Sequence, residues 1–333
     1  MNKKLGLTLT VSLLLGAILI FNFSVIAQSP EYTFQLAHNS DVNHPSHKGS
    51  MLFKQLVEER TEGRVKIEVY PNNTLGSPPE YTEQIANGII ALGLSTSGQL
   101  QEWVPENAVV MIPFLFSSYQ DAHEALDGPA GELLAQKDEK AGFKVLSNWE
   151  WGFRQITNNK LPINKPEDIS KLKMRVPPEI QLQEMYKALG ANTSTIDFSE
   201  LYMALSQKVV DGQCNPLNTI YHYKFYEVQK YLAITNHIYN TQMLVMSKNI
   251  WDTLPADIKR VLEESSQVAG LYVRQITMAS EDDLITQLED KGMDVTRPET
   301  GPFKKIMGPA IEAIGKFAGE DFTDKFLKLI NNK

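Results

Sequence analysis

Two arginines in apolar surroundings are the residues of this sequence best suited to bind a ligand. Arg154 follows the aromatic stretch 151–153, and Arg175 lies between Met174 and Val176, each at or beside the end of a predicted strand. A guanidinium group is costly to bury without an anion, and its planar fork matches a carboxylate through two parallel hydrogen bonds. An internal salt bridge explains most single arginines, but two in apolar strands favour a carboxylate ligand.

Other side chains extend this set of candidate ligand contacts. Asn215, in the segment 211–216, offers an amide to a second carboxylate oxygen or to a hydroxyl, and Pro216 fixes the turn. Aromatic residues often wall ligand pockets, although they are core residues more often. The candidate aromatic walls are Trp149, Trp151 and Phe198. The remaining polar candidates are Asn39, Gln99 and Glu150.

The sequence lacks the familiar catalytic motifs. There is no P-loop, no G-x-G-x-x-G after a strand, no G-x-S-x-G and no H-E-x-x-H, since His123-Glu124 is followed by Ala-Leu-Asp. These absences weaken the case for an enzyme. They leave one catalytic alternative, an exported hydrolase or lyase that uses Glu150 or Asp197 as a base.

The clustered histidines and the cysteine have ordinary structural explanations. His38, His44 and His47 lie in one polar loop, but no cysteine or paired carboxylate accompanies them, so we expect no metal site. Cys214 is the only cysteine and therefore has no partner for a disulfide within the chain. A single thiol in such a setting is more often inert packing than a nucleophile. We expect no cofactor.

Composition and charge exclude several classes of partner. The chain has 333 residues, of which 42% are hydrophobic and 22% charged, and a formal net charge of −8. Its length suits about two domains of ordinary size. An acidic surface without a basic patch argues against nucleic acid and against anionic lipid heads. It does not exclude an anionic small molecule, because a buried arginine acts locally.

The N-terminal segment predicts export. Lys3 and Lys4 precede an apolar stretch over residues 5–27, and polar residues follow from Gln28, which is the pattern of a secretory signal peptide over residues 1–27. The alternative is a retained membrane anchor, because a bilayer span needs about 20 apolar residues. We favour cleavage and expect a periplasmic protein.

Alternating strand and helix patterns predict an α/β fold. Strand patterns at residues 32–36, 65–69 and 89–94 are separated by helical patterns, which predicts a mainly parallel sheet covered by helices. A second set of elements begins near residue 150 and includes strand-like stretches at 173–176 and 209–210. The sequence therefore predicts two α/β domains.

A long helical pattern near the C-terminus predicts how the domains are joined. It covers residues 256–288, after Pro255 and before Gly292. At 1.5 Å per residue it would extend on the order of 50 Å, enough to brace both domains. The first domain is expected to comprise residues 28–151 and 241–280, and the second residues 152–240 and 281–333.

Several ordered segments carry a resemblance to a known family. They are YPNNTLG at 70–76, GFRQITN at 152–158, LKMRVP at 172–177, FSELYMAL at 198–205, VDGQCNPL at 210–217 and KFYEVQ at 224–229. Together with the long C-terminal helical pattern, they resemble the solute-binding proteins of TRAP (tripartite ATP-independent periplasmic) transporters, the DctP family. The resemblance extends over nearly the whole chain after residue 27.

The resemblance implies a fold, a site and a partner. The fold would be that of periplasmic binding proteins, with two α/β domains that close a central cleft around the ligand. Arg175 would pair with the ligand carboxylate, and Arg154, Asn215 and Phe198 would lie beside it. The closed protein, expected to be a monomer, would deliver the ligand to a sodium-driven permease of two integral membrane subunits.

Three positions qualify the resemblance. Cys214 stands where many members have an acidic residue, and Trp151 where a smaller polar residue is common. Thr96 stands where a sialic-acid-binding member would have glutamate, which argues against sialic acid. We expect a sugar acid such as a uronate or aldonate first, then a C4-dicarboxylate or another monocarboxylate. An exported enzyme and a ligand-sensing subunit of a membrane receptor remain the alternatives.

Overall fold

The computed structural model describes residues 29–331, so the predicted signal peptide lies outside the described part. The strands are β1 Tyr32–Ala37, β2 Val65–Tyr70, β3 Leu92–Thr96, β4 Phe143–Asn148, β5 Gly152–Asn158, β6 Lys173–Val176, β7 Asn192–Thr195, β8 Gly212–Pro216, β9 Tyr231–Ala233, β10 Tyr239–Asn240, β11 Gln242–Ser247 and β12 Asp294–Thr296.

Helices of very different length connect these strands. They are α1 Pro45–Arg60, α2 Pro78–Ala86, α3 Ser97–Leu100, α4 Tyr119–Leu126, α5 Pro129–Lys140, α6 Pro166–Ile169, α7 Ile180–Ala188, α8 Leu201–Ser206, α9 Leu217–His222, α10 Lys248–Thr253, α11 Ala256–Ala279, α12 Glu281–Asp290, α13 Gly301–Lys305, α14 Gly308–Ala318 and α15 Glu320–Asn331. Short 3-10 helices lie at Pro105–Met111, Phe198–Glu200 and Phe225–Glu227. Between residues 29 and 331, no helix has both the length and the apolar character needed to cross a bilayer.

The first sheet has five strands in the order β2-β1-β3-β11-β4. β1 pairs in parallel with β2 and β3, whereas β11 runs antiparallel to β3 and β4. Alternate residues of a strand face the same side of a sheet. Phe34 and Leu36 of β1 are therefore buried together, in one core with Phe53 of α1 and Val273 of α11.

The second sheet has the order β12-β9-β5-β8-β6-β7, and β10 pairs with the start of β5. β6 runs parallel to β7 and β8, and β5 runs antiparallel to β8, β9 and β10. Ile156, Met174 and Val176 pack against Leu182 and Tyr186 of α7. The predicted α/β fold with two separate sets of elements is confirmed.

Both sheets are mainly parallel, as predicted, and each contains one strand that runs against the others, β11 in the first sheet and β5 in the second. The chain passes from β4 in the first sheet to β5 in the second through residues 149–151, and it returns from β10 to β11 through Thr241. Neither crossing leaves room for the helix that a parallel connection needs. The strands β5 and β11, which start after these crossings, therefore lie antiparallel to their main neighbours.

The long C-terminal helical pattern forms two helices instead of one. α11 ends at Ala279, Ser280 interrupts the pattern, and α12 begins at Glu281. α11 packs on α1 and β4 beside the first sheet, whereas α12 packs on α9 and β12 beside the second. At 1.5 Å per residue, α11 alone is about 36 Å long. The bracing of both halves therefore depends on two consecutive helices.

The last helices belong to a third core. Ile314 of α14 and Phe326 of α15 pack with Val109 of the 3-10 helix Pro105–Met111 and with Leu134 of α5. α14 also contacts α7. This core includes segments from both predicted domains, so the domain boundaries given above stay a prediction.

Two short strands begin later than the sequence predicts. β3 begins at Leu92 instead of residue 89, where Ile89 is 68% exposed, and β8 begins at Gly212 after the 209–210 pair. The preceding helices end in left-handed residues, Gly88 with φ 74° and Lys208 with φ 59°, so the next apolar residues belong to turns. Each strand then leads directly into a short helix, which places polar residues at the same edge of both sheets.

Candidate ligand-binding site

A cavity lies between the two sheets, beside the ends of β1, β3, β6 and β8. β5 is antiparallel to β8, so its beginning reaches the same edge and Arg154 lies opposite Pro216. The carboxyl ends of strands in α/β sheets are the usual place for ligands. The side chains lining the cavity are Asn39, Thr96, Gln99, Trp151, Arg154, Arg175, Pro177, Glu179, Phe198, Asn215 and Asn240.

The structure brings seven of the eight predicted contact residues together. They are Asn39, Gln99, Trp151, Arg154, Arg175, Phe198 and Asn215. They come from both sheets and from distant parts of the chain, so their meeting in one cavity is a property of the fold. Their contacts with a ligand stay a prediction.

Arg175, on β6, is buried with 3% of its surface exposed. Its Nε donates a hydrogen bond to the backbone oxygen of Ile196 at 2.8 Å. Within residues 29–331, its two terminal nitrogens have no hydrogen-bond partner, and no carboxylate forms an ion pair with it. Burial and the positive charge of Arg154 lower the pKa of Arg175 to about 10. A buried guanidinium with two free nitrogens is suited to hold a carboxylate.

Arg154 is held in place by the neighbouring strand. It is also 3% exposed. A terminal nitrogen donates to the backbone oxygen of Cys214, and its Nε lies 3.4 Å from the Cys214 sulfur. In the described part of the chain no carboxylate forms an ion pair with Arg154. The second arginine therefore adds a fixed positive charge beside Arg175.

Aromatic and amide side chains complete the wall of the cavity. The Trp151 ring lies 5.0 Å from that of His44, and Phe198 meets Tyr223 edge to face at 4.7 Å between ring centroids. The Asn215 Nδ2 donates to the side chain two residues earlier at 2.6 Å, which fixes its amide. Apolar walls with a few oriented polar groups are typical of sites for small organic molecules.

Gln99 and Thr96 bind each other at the start of α3. The Gln99 Oε1 accepts a hydrogen bond from the Thr96 backbone nitrogen at 2.9 Å, and the Thr96 Oγ1 accepts one from the Gln99 backbone nitrogen at 3.3 Å. This reciprocal pair is a capping box. Gln99 therefore keeps its amide nitrogen for other contacts while its oxygen caps the helix.

Glu150 lies away from the cavity. It is 1% exposed, and its Oε2 binds His123 Nε2 at 2.7 Å and accepts a hydrogen bond from the Tyr239 hydroxyl at 3.2 Å. Burial raises the pKa of Glu150, and the His123 hydrogen bond acts in the opposite direction. The prediction that Glu150 contacts the ligand is not supported by this position, because its carboxyl ties the crossing segment 149–151 to α4.

Trp149, one of the predicted pocket walls, is a core residue. Its side chain is fully buried, and its Nε1 donates to the backbone oxygen of Ser266 at 3.1 Å. A β-carbon on Gly49 of α1 would lie 3.0 Å from the ring, and one on Gly270 of α11 would lie 2.7 Å from it. The ring thus fills the space between two helices, and the pocket-wall prediction is wrong.

Four lining residues were missing from the sequence-based set of ligand contacts, namely Thr96, Pro177, Glu179 and Asn240, and the last two have a buried polar atom without a hydrogen-bond partner among the described residues. Glu179 precedes α7 and is 6% exposed. A glutamate after two prolines is normally solvated, so no pattern marked it. Asn240 ends β10, and its buried Oδ1 has no hydrogen-bond partner among the described residues. Both positions depend on how the two sheets meet, which the sequence does not reveal.

Histidines of the loop between β1 and α1 cap backbone nitrogens. His38 Nδ1 accepts from the Ser40 nitrogen at 3.1 Å, and His44 Nδ1 accepts from the Ser46 nitrogen at 3.2 Å at the start of α1. Burial, followed by the charge of His47, lowers the pKa of His38 to about 3, so it is neutral at pH 7. In the part of the chain that the structure describes, no three potential ligands are placed to hold a metal ion.

A larger cavity of about 420 Å³ lies between α5, β4 and α11. Its arginine, Arg274, is already paired with both carboxylate oxygens of Asp127. Its buried carboxyl, Asp138, accepts a hydrogen bond from Asn107 at 2.5 Å, and burial raises the pKa of Asp138 to about 7. Because Arg274 is already neutralised by Asp127 and the Asp138 carboxyl lines the cavity, this cavity is less suited to a carboxylate ligand than the one between the sheets.

The cavity between the sheets is small, with a volume of about 40 Å³. Contacts join its two sides: the Tyr223 hydroxyl donates to the backbone oxygen of Asn39, and Gln101 Nε2 donates to that of Pro178 at 3.3 Å. Such a volume holds only a few water molecules. Entry of an organic acid therefore requires the two halves to separate.

Comparisons with known proteins agree with this architecture. Residues 36–316 match the family described as bacterial extracellular solute-binding protein, family 7. The 2,3-diketo-L-gulonate-binding periplasmic protein of Escherichia coli (strain K12) is 30% identical over 289 residues, which cover 86% of this chain and 87% of the relative. The C4-dicarboxylate-binding periplasmic protein of Rhodobacter capsulatus is 31% identical over 305 residues, which cover 90% and 91%.

Solved structures extend the likeness to the whole fold. A sugar acid binding protein from Advenella mimigardefordensis, in complex with galactonate, has a TM-score of 0.87 and 30% identity, covering 91% of this chain and 99% of that one. A TRAP periplasmic solute-binding protein from Sulfurospirillum deleyianum, with bound succinate, has a TM-score of 0.84 and 31% identity, covering 89% and 98%. The two-domain arrangement around a cleft is therefore shared with proteins that bind organic acids.

Proposed function

The chain belongs to family 7 of the bacterial extracellular solute-binding proteins, the DctP family of TRAP transporters, and we propose that it captures a sugar acid by pairing Arg175 with the ligand carboxylate. After capture, it delivers the ligand to a sodium-driven permease of two integral membrane subunits. It works in the periplasm as a monomer, once residues 1–27 have been removed.

The environment of Arg175 is the observation that carries this proposal. The residue is buried, it forms no ion pair with a carboxylate among the described residues, and its side chain lines the cavity. Uncompensated burial of a charge is unfavourable. A ligand carboxylate would supply the missing anion, and the guanidinium geometry would fix its orientation through two hydrogen bonds.

Closure of the two halves explains how the ligand is retained. We propose that the crossing segments near Trp151 and Thr241 absorb the rotation, as hinges of a few residues do in other two-domain binding proteins. Closure removes water from the pair between Arg175 and the carboxylate, and this strengthens their attraction. The contact between Tyr223 and Asn39 would then form only in the closed state.

The cavity wall favours a hydroxylated acid. Amides from Asn39, Gln99, Asn215 and Asn240 line it, and amides donate to and accept from hydroxyl groups. A relative binds 2,3-diketo-L-gulonate and a structural neighbour holds galactonate, whereas others bind C4-dicarboxylates. We therefore place sugar acids first and C4-dicarboxylates or other monocarboxylates second.

The catalytic alternative has little support in the structure. Glu150, its first candidate base, contacts His123 and Tyr239 instead of the cavity. Asp197 caps the 3-10 helix that begins at Phe198. The relatives and structural neighbours with assigned roles are binding proteins. A sensing role would use the same ligand site, so genes for two membrane subunits beside this one would favour transport.

A thermal-shift screen of residues 28–333 against organic acids tests the proposal. The protein is first unfolded and refolded to remove any ligand carried through purification. A ligand at 100 times its dissociation constant adds about 2.7 kcal/mol of stability, which raises the midpoint by several degrees. We expect shifts with uronates or aldonates. If no acid shifts the midpoint, capture of a carboxylate is wrong and an enzyme assay becomes the next experiment.

A further inference from the structure

Glu179 places a negative charge inside the cavity, beside the two arginines. It lies before α7 on the second-sheet side and reaches the first-sheet side, where a β-carbon on Gly98 would lie 2.4 Å from its carboxyl carbon. Only a glycine at position 98 leaves room for this approach. The carboxyl group therefore lies in the cleft itself, against the backbone of α3.

The Glu179 carboxyl forms no hydrogen bond and no ion pair with another described residue. It is 6% exposed, and its Oε2 is buried without a hydrogen bond from any described residue. Neither Arg154 nor Arg175 forms an ion pair with it, although both line the same cavity. A buried carboxylate oxygen without a donor is unfavourable. A donor supplied by a ligand would satisfy it.

We propose, on the basis of the proposed function, that Glu179 selects hydroxylated monocarboxylates by accepting a hydrogen bond from a ligand hydroxyl and repelling a second carboxylate. Arg154 and Arg175 contribute two positive charges and Glu179 one negative charge, so one ligand carboxylate neutralises the set. A dicarboxylate adds an excess negative charge that faces Glu179. Like charges opposed in a desolvated site discriminate strongly against the wrong ligand.

The charge around Arg154 agrees with this assignment. Arg154 is bound by the neutral backbone oxygen of Cys214, so β8 supplies it with no carboxylate. Burial raises the pKa of Glu179, and the positive charges of Arg154 and Arg175 act against that rise. Among residues 29–331, Glu179 is the one carboxylate that lines this cavity, and Asp197 lines the adjoining pocket together with Arg175 and Glu179. The identity of the ligand is expected to depend on Glu179.

Matched pairs of acids test the proposal by titration calorimetry. Gluconate and glucarate differ only at carbon 6, where glucarate has a second carboxylate, and erythronate and meso-tartrate differ in the same way at carbon 4. Dissociation constants are measured for the wild type, for Glu179→Gln and for Glu200→Gln. Glu200 is exposed and does not line the cavity, so its variant controls for a general change of charge.

We expect wild type and Glu200→Gln to bind the monocarboxylate of a pair at least about tenfold more tightly than the dicarboxylate, and Glu179→Gln to lose most of that ratio. An unchanged ratio in Glu179→Gln, or a wild-type preference for the dicarboxylate, overturns the role of Glu179 while leaving carboxylate capture intact. If Glu179→Gln does not fold, as judged by circular dichroism, the proposal is judged by the wild-type protein alone. A wild-type ratio of dissociation constants that does not favour the monocarboxylate then overturns it. Failure of the wild type to bind any acid contradicts the proposed function instead.

Discussion

Replacing Arg175 by alanine should weaken binding of the organic acid by about 3–5 kcal/mol, which is roughly a hundredfold to several thousandfold in the dissociation constant. The loss is large because the ligand carboxylate would be enclosed in the cleft without its cation. Arg175→Lys should bind with intermediate affinity, because a lysine ammonium is a single point charge that cannot form two parallel hydrogen bonds. Titration calorimetry of the refolded proteins with the acid identified by the thermal screen measures both changes.

Arg260→Ala is the matched control for this experiment. Arg260 is an exposed arginine of α11 whose side chain retains 66% of its accessible surface. Exposed ion pairs contribute little, so this variant should bind as the wild type does. If Arg175→Ala binds as tightly as the control, Arg175 does not pair with the carboxylate, and the central assignment is wrong.

Replacing Trp149 by alanine should lower the free energy of unfolding by about 3–5 kcal/mol. The indole is fully buried between Gly49 of α1 and Gly270 of α11, and it donates hydrogen bonds to Ser147 Oγ at 3.0 Å and to the Ser266 backbone. Its removal leaves a cavity next to the segment that crosses between the sheets. Trp149→Phe should lose less, because it keeps most of the packing and gives up only the N–H.

Urea unfolding of the two variants provides the measurement, with Phe317→Ala as the control. Phe317 is 41% exposed on α14, so its truncation should change the free energy of unfolding by only about 0.5 kcal/mol. The pocket-wall hypothesis for Trp149 predicts the reverse pattern, with a small loss of stability and a large loss of affinity. That pattern would contradict the position of Trp149 in the core.

The second half of the chain made the candidate site largely predictable. Arg154, Arg175 and Asn215 lie on strands whose apolar residues were evident in the sequence. Charged or amide side chains at these positions were therefore recognisable as candidates for ligand binding. The amides and Glu179 were harder to place, because they lie in turns where polar residues are expected anyway. Their meeting depends on the contact between the two halves, which local patterns do not encode.

The break between α11 and α12 could not be predicted from local sequence patterns either. The apolar periodicity continues past Ser280, yet the helix ends there because the Ser280 hydroxyl bonds to the Thr277 carbonyl at 2.9 Å and receives a hydrogen bond from Asn218 at 3.3 Å. Asn218 belongs to α9, beside the second sheet. Serine bonds of this kind compete with the helix ladder. A partner distant in sequence therefore decides where the helix breaks.

The side-chain directions within the segments that cross between the sheets were equally hidden. The predicted domain boundaries follow residue 151 and precede Thr241, but the sequence placed Trp149 and Glu150 near the ligand because of their neighbours. In the structure, adjacent residues of the segment 149–151 face different environments. Trp151 lines the cavity, Glu150 binds His123, and Trp149 fills the core. A short crossing segment has no periodicity from which such directions can be read.

The most direct test of the proposed capture mechanism is a crystal structure of residues 28–333 with the acid that gives the largest thermal shift. We expect the two halves closed over the ligand, with its carboxylate oxygens about 2.7–2.9 Å from the terminal nitrogens of Arg175. A carboxylate held elsewhere, with Arg175 bonded only to the Ile196 backbone oxygen, would contradict the mechanism.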